Sequence, residues 1–174
     1  NLFNDLLKNS SFNKASESHL KKISLDHSQK NTLDFLTNGI RINNNNSPLL
    51  YKTFNEIKKK LAIGRLNVDL FIENDPSINA GLAFIKKSNY IVFLNSGLMN
   101  LLNLDEIKFV IGHELGHLKY QHHRIIKNPN KKSLPIFTVR LFEHSRYAEI
   151  SADRCGLVGV GSLNTAKSAL LKIA

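Results

Sequence analysis

The sequence predicts an α+β fold: a small mixed sheet of about three strands packed on two long helices, with a helical N-terminal appendage. Three observations predict it. Short apolar runs cluster mid-chain at 66–72, 81–85 and 90–94, and runs of this length bounded by turn residues read as strands. Apolar residues at spacings of three and four lie on both sides of that cluster, as helices require. An asparagine run at 43–46 followed by Ser47 and Pro48 marks a loop that divides residues 1–47 from 48–174.

Each element has its own signal. Residues 1–47 are polar with scattered apolar pairs such as Leu6 and Leu7 or Phe35 and Leu36. They read as short helices, serving as a prosegment, a packing arm or a partner-binding arm. From Pro48 a helix carries the stripe Leu49, Leu50, Phe54, Ile57 and Leu61, with Gly64 expected to end it. The segment 86–89 reads as a hairpin turn between the second and third strands, and 96–102 as a short helix. Asn103 with Glu106 three residues on resembles a capping box. The helix it opens is expected to reach Asn128 and Pro129. Gly112 and Gly116 lie inside that helix, where each costs about 1 kcal/mol relative to Ala, so a neighbouring element is expected to approach closely there. A further helix runs from about residue 138 to 158, and Ser162 or Asn164 caps the last one.

At 174 residues with 42% hydrophobic content, the chain can bury a sizeable core. No apolar run approaches the length of a membrane span, although peripheral membrane contact stays open. The single cysteine, Cys155, excludes an internal disulfide framework and fits a reducing compartment only weakly. Asn1 does not reveal a native start, so cytoplasmic and exported settings are both open. The net charge of +10 invites a nucleic-acid reading. The lysines are scattered, however, and no aromatic-interleaved basic groove accompanies them, so no nucleic-acid partner is expected.

The chemistry concentrates in His113-Glu114-Leu115-Gly116-His117. Residues four apart on a helix differ by about 40° in direction and 6 Å in rise. His113 and His117 therefore project from one face and can share a zinc ion. Glu114 lies beside that face, where it can act as general base toward a water molecule. A catalytic zinc site needs a third protein ligand. Glu149 and Asp153, four apart on the later helix, supply a carboxylate pair on one face. One can ligate while the other hydrogen-bonds a ligand histidine. Glu149 is the expected third ligand, with Glu143 or His144 as fallback. His122, five residues beyond His117, is rotated about 140° on a continuous helix; it reads as a surface or capping histidine.

These residues resemble the gluzincin peptidases that include HtpX-like proteases, type I CAAX prenyl proteases and soluble minigluzincins. The resemblance runs from about Pro48 to Ala174 and rests on several motifs in order. They are Asp75 to Ala80, Ser96-Gly97-Leu98, His113 to His117 with His122 after it, and Ser145 to Asp153 with its Glu149-x-x-Ala152-Asp153 ending. It implies a zincin-like domain at 48–174, one Zn²⁺ held by His113, His117 and Glu149, catalysis through Glu114, and Asp153 supporting a ligand histidine. It also implies that Asn79 and Ala80 belong to an edge strand that pairs with an extended peptide or protein substrate.

The chain departs from that pattern in two ways. Only the 31 residues 118–148 separate His117 from Glu149, and they are not membrane-like. Many relatives also carry a His or Arg beyond the second motif for the oxyanion, whereas this chain has no His after residue 144. His144, Arg146, Tyr147 and Arg154 are the candidate donors. The expected function is zinc-dependent endopeptidase; the alternative is a latent or non-catalytic zincin-like binding or regulatory module with its cleft blocked.

Overall fold

The computed structural model of the protein describes residues 37–86, 89–122 and 134–174. The expected helical appendage falls mostly on residues 1–36, outside the described residues. The elements run β1 (Gly39–Arg41), α1 (Pro48–Lys60), β2 (Asn67–Glu73), β3 (Ala80–Lys86), β4 (Asn89–Asn95), α2 (Ser96–Leu101), α3 (Leu104–Lys119), α4 (Leu134–Val160) and α5 (Leu163–Ile173).

The architecture is α+β, with one mixed sheet ordered β1-β2-β4-β3. β1 runs antiparallel to β2, β2 parallel to β4, and β3 antiparallel to β4. Among the described residues the sheet has four strands rather than about three. The extra strand, Gly39–Arg41, lies within the stretch assigned to the appendage and pairs Ile40 with Ile72. Three residues are too few to show alternation, which is why it escapes a periodicity reading. It is fastened by Arg41, whose guanidinium lies 2.8 Å from Asp69, and by Asn46, whose amide donates to the Arg41 carbonyl.

The asparagine run forms the expected loop, with the Asn43 side chain accepting from the backbone of Asn45 and Asn46. Pro48 then opens α1 at a position where its missing N–H costs nothing. Leu50, Phe54 and Ile57 are buried, but Leu49 is 62% exposed and leaves the predicted stripe. The helix ends at Lys60, and Ala62 rather than Gly64 adopts the left-handed turn, with φ 57°.

One sheet face, with Val68, Leu70, Leu82, Val92 and Leu94, joins the main core, while Phe71, Ala83, Ile91 and Phe93 cluster separately. α3 is the central core element, with Ile111 and Leu115 fully buried. Each such side chain contributes about 1.5–3 kcal/mol by leaving water. Asn103 and Glu106 form the capping box that the sequence signals. The helix stops at Lys119, well short of Asn128, because Tyr120 caps it and Gln121 turns left-handed with φ 55°. α4 starts at Leu134, earlier than expected, because Pro135 suits a first helical turn. Gly161, with φ +72°, separates α4 from α5, and the Ser162 hydroxyl caps α5 by accepting from Thr165. Among the described residues, no helix is long and apolar enough to cross a membrane.

Candidate metal centre and its cleft

The separation of α3 and α4 sets the site, and glycine sets the separation. A Cβ on Gly112 would lie 2.9 Å from both the Cys155 carbonyl oxygen and the Gly156 Cα. One on Gly116 would lie 2.8 Å from the Cys155 Cβ and 3.0 Å from the Ala152 Cα. From α4, Gly156 meets the Phe109 ring and carbonyl in the same way. The helices therefore touch backbone to backbone, as the two motif glycines suggest, and the side chains that flank this seam converge.

His113 and His117 point from α3 toward Glu149 on α4. The two Nε2 atoms are 3.0 Å apart. The nearer Glu149 carboxylate oxygen is 3.4 Å from His113 Nε2 and 3.7 Å from His117 Nε2. Ligand atoms about 2.0–2.1 Å from a tetrahedral ion stand about 3.3–3.4 Å from one another, and the three separations here, 3.0, 3.4 and 3.7 Å, bracket that value. They also form a His/His/carboxylate group of the kind that binds a divalent metal.

Asp153, one turn beyond Glu149, lies 2.9 Å from His113 Nδ1 through its Oδ1. The Nδ1–H of His113 is the donor, which leaves Nε2 free to ligate. Burial disfavours the His113 imidazolium, but Asp153, Glu149 and nearby Glu114 outweigh it and raise its pKa to about 10. Facing His113 and then His117, the Glu149 carboxyl is held well below the usual carboxylate range. The group thus favours positive charge between its nitrogens and its carboxylate, a preference that a divalent cation also satisfies.

Beside the metal-binding group, a cleft of about 220 Å³ is lined by Asn79, Ala80, His113 and Glu114, with apolar walls that include Phe109, Leu170 and Ile173. Ala80 begins β3, an edge strand whose only sheet partner among the described residues is β4. The loop before it is firmly anchored. The Asp75 carbonyl accepts from Gly97 N–H and the Ser96 hydroxyl, and Asn95 N–H donates to the Asn79 carbonyl. A side chain at Gly97 would collide with the Pro76 carbonyl. The Asp75–Ala80 and Ser96–Leu98 segments are therefore two sides of one joint that places Asn79 at the cleft.

The candidate oxyanion donors sit elsewhere. His144, Tyr147 and Arg154 line a second hollow of about 530 Å³ with Tyr120, His122 and Ser151. Arg146 is exposed and lines neither hollow. Glu143, the fallback ligand, is also exposed and lies outside the metal-binding group.

Two features go beyond the sequence reading. His122 is not a surface or capping histidine: it is half-buried, and its Nδ1 lies 3.0 Å from His117 Nδ1. The helix is not continuous to His122: Gln121, with φ 55°, turns the chain back toward α4. Burial, then the neighbouring His117 and His144, lower the His122 pKa to about 4. The second feature is α5, which supplies Leu170 and Ile173 to the cleft. It is held to the start of α3 by Glu106, whose carboxylate accepts from Ser168 at 2.6 Å and Lys172 at 2.8 Å. The capping box signals Glu106, but no local pattern pairs it with residues more than sixty positions away.

The family model for peptidase family M48 matches residues 50–138, just over half of the chain. That span covers the edge strand and both motif histidines but stops short of Glu149. Among similar curated proteins, the plastoglobule-localized metallopeptidase 48 of Arabidopsis thaliana is 29% identical over 119 residues, 61% of this chain and 35% of that protein. Protease HtpX of Thioalkalivibrio sulfidiphilus is 33% identical over 75 residues, 43% of this chain and 25% of its own. The Protease HtpX homolog of Helicobacter pylori is 39% identical over 56 residues, 32% of this chain and 18% of its own. The chain thus spans about a third or less of the length of these relatives. No solved structure matches it significantly. A match across more than half the sequence, carrying with it the strand and the helix that meet at the cleft, shows that the chain belongs to peptidase family M48.

Proposed function

We propose that this chain is the zincin-like domain of a zinc-dependent endopeptidase. The observation that carries the reading is the convergence of His113, His117 and Glu149 beside a cleft that also holds Glu114 and the edge strand. His113, His117 and Glu149 hold one Zn²⁺, and Asp153 orients His113. When bound, zinc supplies Lewis acidity, polarising the scissile carbonyl and lowering the pKa of water. Glu114 takes the proton from the attacking water and delivers it to the leaving amine.

An extended peptide adds to the outer edge of β3, its main chain pairing near Ala80 and held by the Asn79 amide. The apolar wall formed with Leu170 and Ile173 excludes water and receives a substrate side chain. His144, Tyr147 and Arg154, which line the second hollow rather than the cleft, and the exposed Arg146 are the candidates for oxyanion stabilisation. Residues 48–174 form the peptidase domain and 1–47 an appendage that contributes β1 to its sheet. The substrates are peptides or proteins, and no nucleic acid takes part.

Zinc stoichiometry measured together with casein cleavage, with and without residues 1–36, tests this reading. One zinc per chain and chelator-sensitive cleavage are expected. Stoichiometric zinc without cleavage in either form would favour a non-catalytic zincin-like module.

A further inference from the structure

His117 has two ring nitrogens with different surroundings. Its Nε2 faces His113 and Glu149, at 3.0 Å and 3.7 Å. Its Nδ1 faces His122 Nδ1 at 3.0 Å. The other His122 nitrogen, Nε2, lies 3.1 Å from the Ser151 hydroxyl, which itself lies 2.9 Å from the Ala148 carbonyl. These four groups form one chain of contacts from the backbone of α4 to the metal-facing side of α3.

The direction of that chain follows from its ends. A carbonyl oxygen can only accept, so the Ser151 hydroxyl donates to Ala148, and its oxygen accepts the Nε2–H of His122. A neutral imidazole carries one N–H, so His122 Nδ1 bears a lone pair. It then accepts the Nδ1–H of His117, which leaves the lone pair of His117 on Nε2, facing His113 and Glu149. The reverse order would place the His117 hydrogen on Nε2 and remove it as a metal donor. Tyr120 stacks on His122 at 5.8 Å and 22°, which holds the ring in the plane the relay needs.

We propose that His122, anchored by Ser151, is a positioning residue that fixes the Nδ1–H tautomer of His117 and so presents Nε2 for metal binding. The role parallels that of Asp153 toward His113, but with a neutral acceptor in place of a carboxylate. The proposal rests on the metal reading given above.

Three measurements on the full chain test it. Long-range ¹H–¹⁵N spectra at neutral pH should show His117 protonated on Nδ1 and His122 on Nε2, assigned through the His117→Ala and His122→Phe variants. Zinc affinity from chelator competition should fall about 10–100-fold in His122→Phe. It should return to within a few-fold of wild type in His122→Asn, whose amide oxygen replaces Nδ1 as acceptor. Ser151→Ala should shift His122 toward a mixture of tautomers. A His117 ring protonated on Nε2 overturns the proposal, as does undiminished affinity in His122→Phe. Equal losses in the Phe and Asn variants also overturn it, since His122 would then act only through packing. A wild-type chain that binds no zinc overturns the metal reading itself, whereas zinc binding that is indifferent to His122 overturns the relay alone.

Discussion

The Nδ1–H of His113 on α3 donates to Asp153 on α4 across 2.9 Å, the one turn of α4 that separates Asp153 from Glu149 bringing two carboxylates to one imidazole. Each ring nitrogen of His113 therefore faces a different acid. Replacing Asp153 with Asn keeps the shape but weakens the acceptor and its charge. Zinc affinity in Asp153→Asn should fall about 10–100-fold, while the unfolding midpoint changes little. Competition against a calibrated chelator measures the first and thermal unfolding the second; unchanged affinity would show that Asp153 does not support His113.

The α3–α4 seam makes a second prediction whose sign opposes helix propensity. In an open helix Gly→Ala gains about 1 kcal/mol. At Gly112 the added methyl would lie 2.9 Å from two backbone atoms of α4, which cannot rotate away. Gly112→Ala should therefore destabilise the chain by about 1–3 kcal/mol through overpacking and weaken zinc binding by moving Glu149. Denaturant unfolding together with zinc titration checks both, and a stabilised Gly112→Ala variant would contradict the close packing.

Glu106 links folding to pH. The residue is 1% exposed, and hydrogen bonds from Lys172, then Ser168, lower its pKa to about 2 from an ordinary value of 4.5. A lowered carboxyl pKa stabilises the fold above the unfolded-state value and loses that contribution as pH falls through the folded-state value. The stability gap between wild type and Glu106→Gln should therefore be full above about pH 5 and close progressively toward about pH 2. Urea unfolding across that range measures it, and a gap independent of pH would show that the charge of Glu106 is not what holds α5.

Because α5 supplies Leu170 and Ile173 to the cleft, truncating that wall separates binding from chemistry. Ile173→Ala should raise KM for an apolar peptide substrate more than it lowers kcat, since uniform binding is what it removes. A steady-state comparison with wild type decides it; a loss confined to kcat would mean that the wall does not bind substrate.

Much of the site is legible in sequence because its logic is local. The spacing of His113 to His117 and of Glu149 to Asp153 places each pair on one helix face, and the capping of α3 by Asn103 and Glu106 is a four-residue pattern. What escapes the sequence depends on where helices stop and on contacts between distant segments. Gln121 in a left-handed turn carries no glycine or asparagine signal, so α3 reads as too long and His122 as remote. β1 is too short for periodicity to reveal. The bonds from Ser168 and Lys172 to Glu106 exist only once α5 folds over α3.

The most direct test of the central claim is Glu114→Gln. The side chain keeps its size and lies outside the three metal-binding groups, but it can no longer accept a proton. The proposed function predicts one zinc per chain, an unfolding midpoint close to wild type, and peptide cleavage reduced by at least about 10²-fold. Cleavage at the wild-type rate by a zinc-loaded Glu114→Gln chain would contradict it.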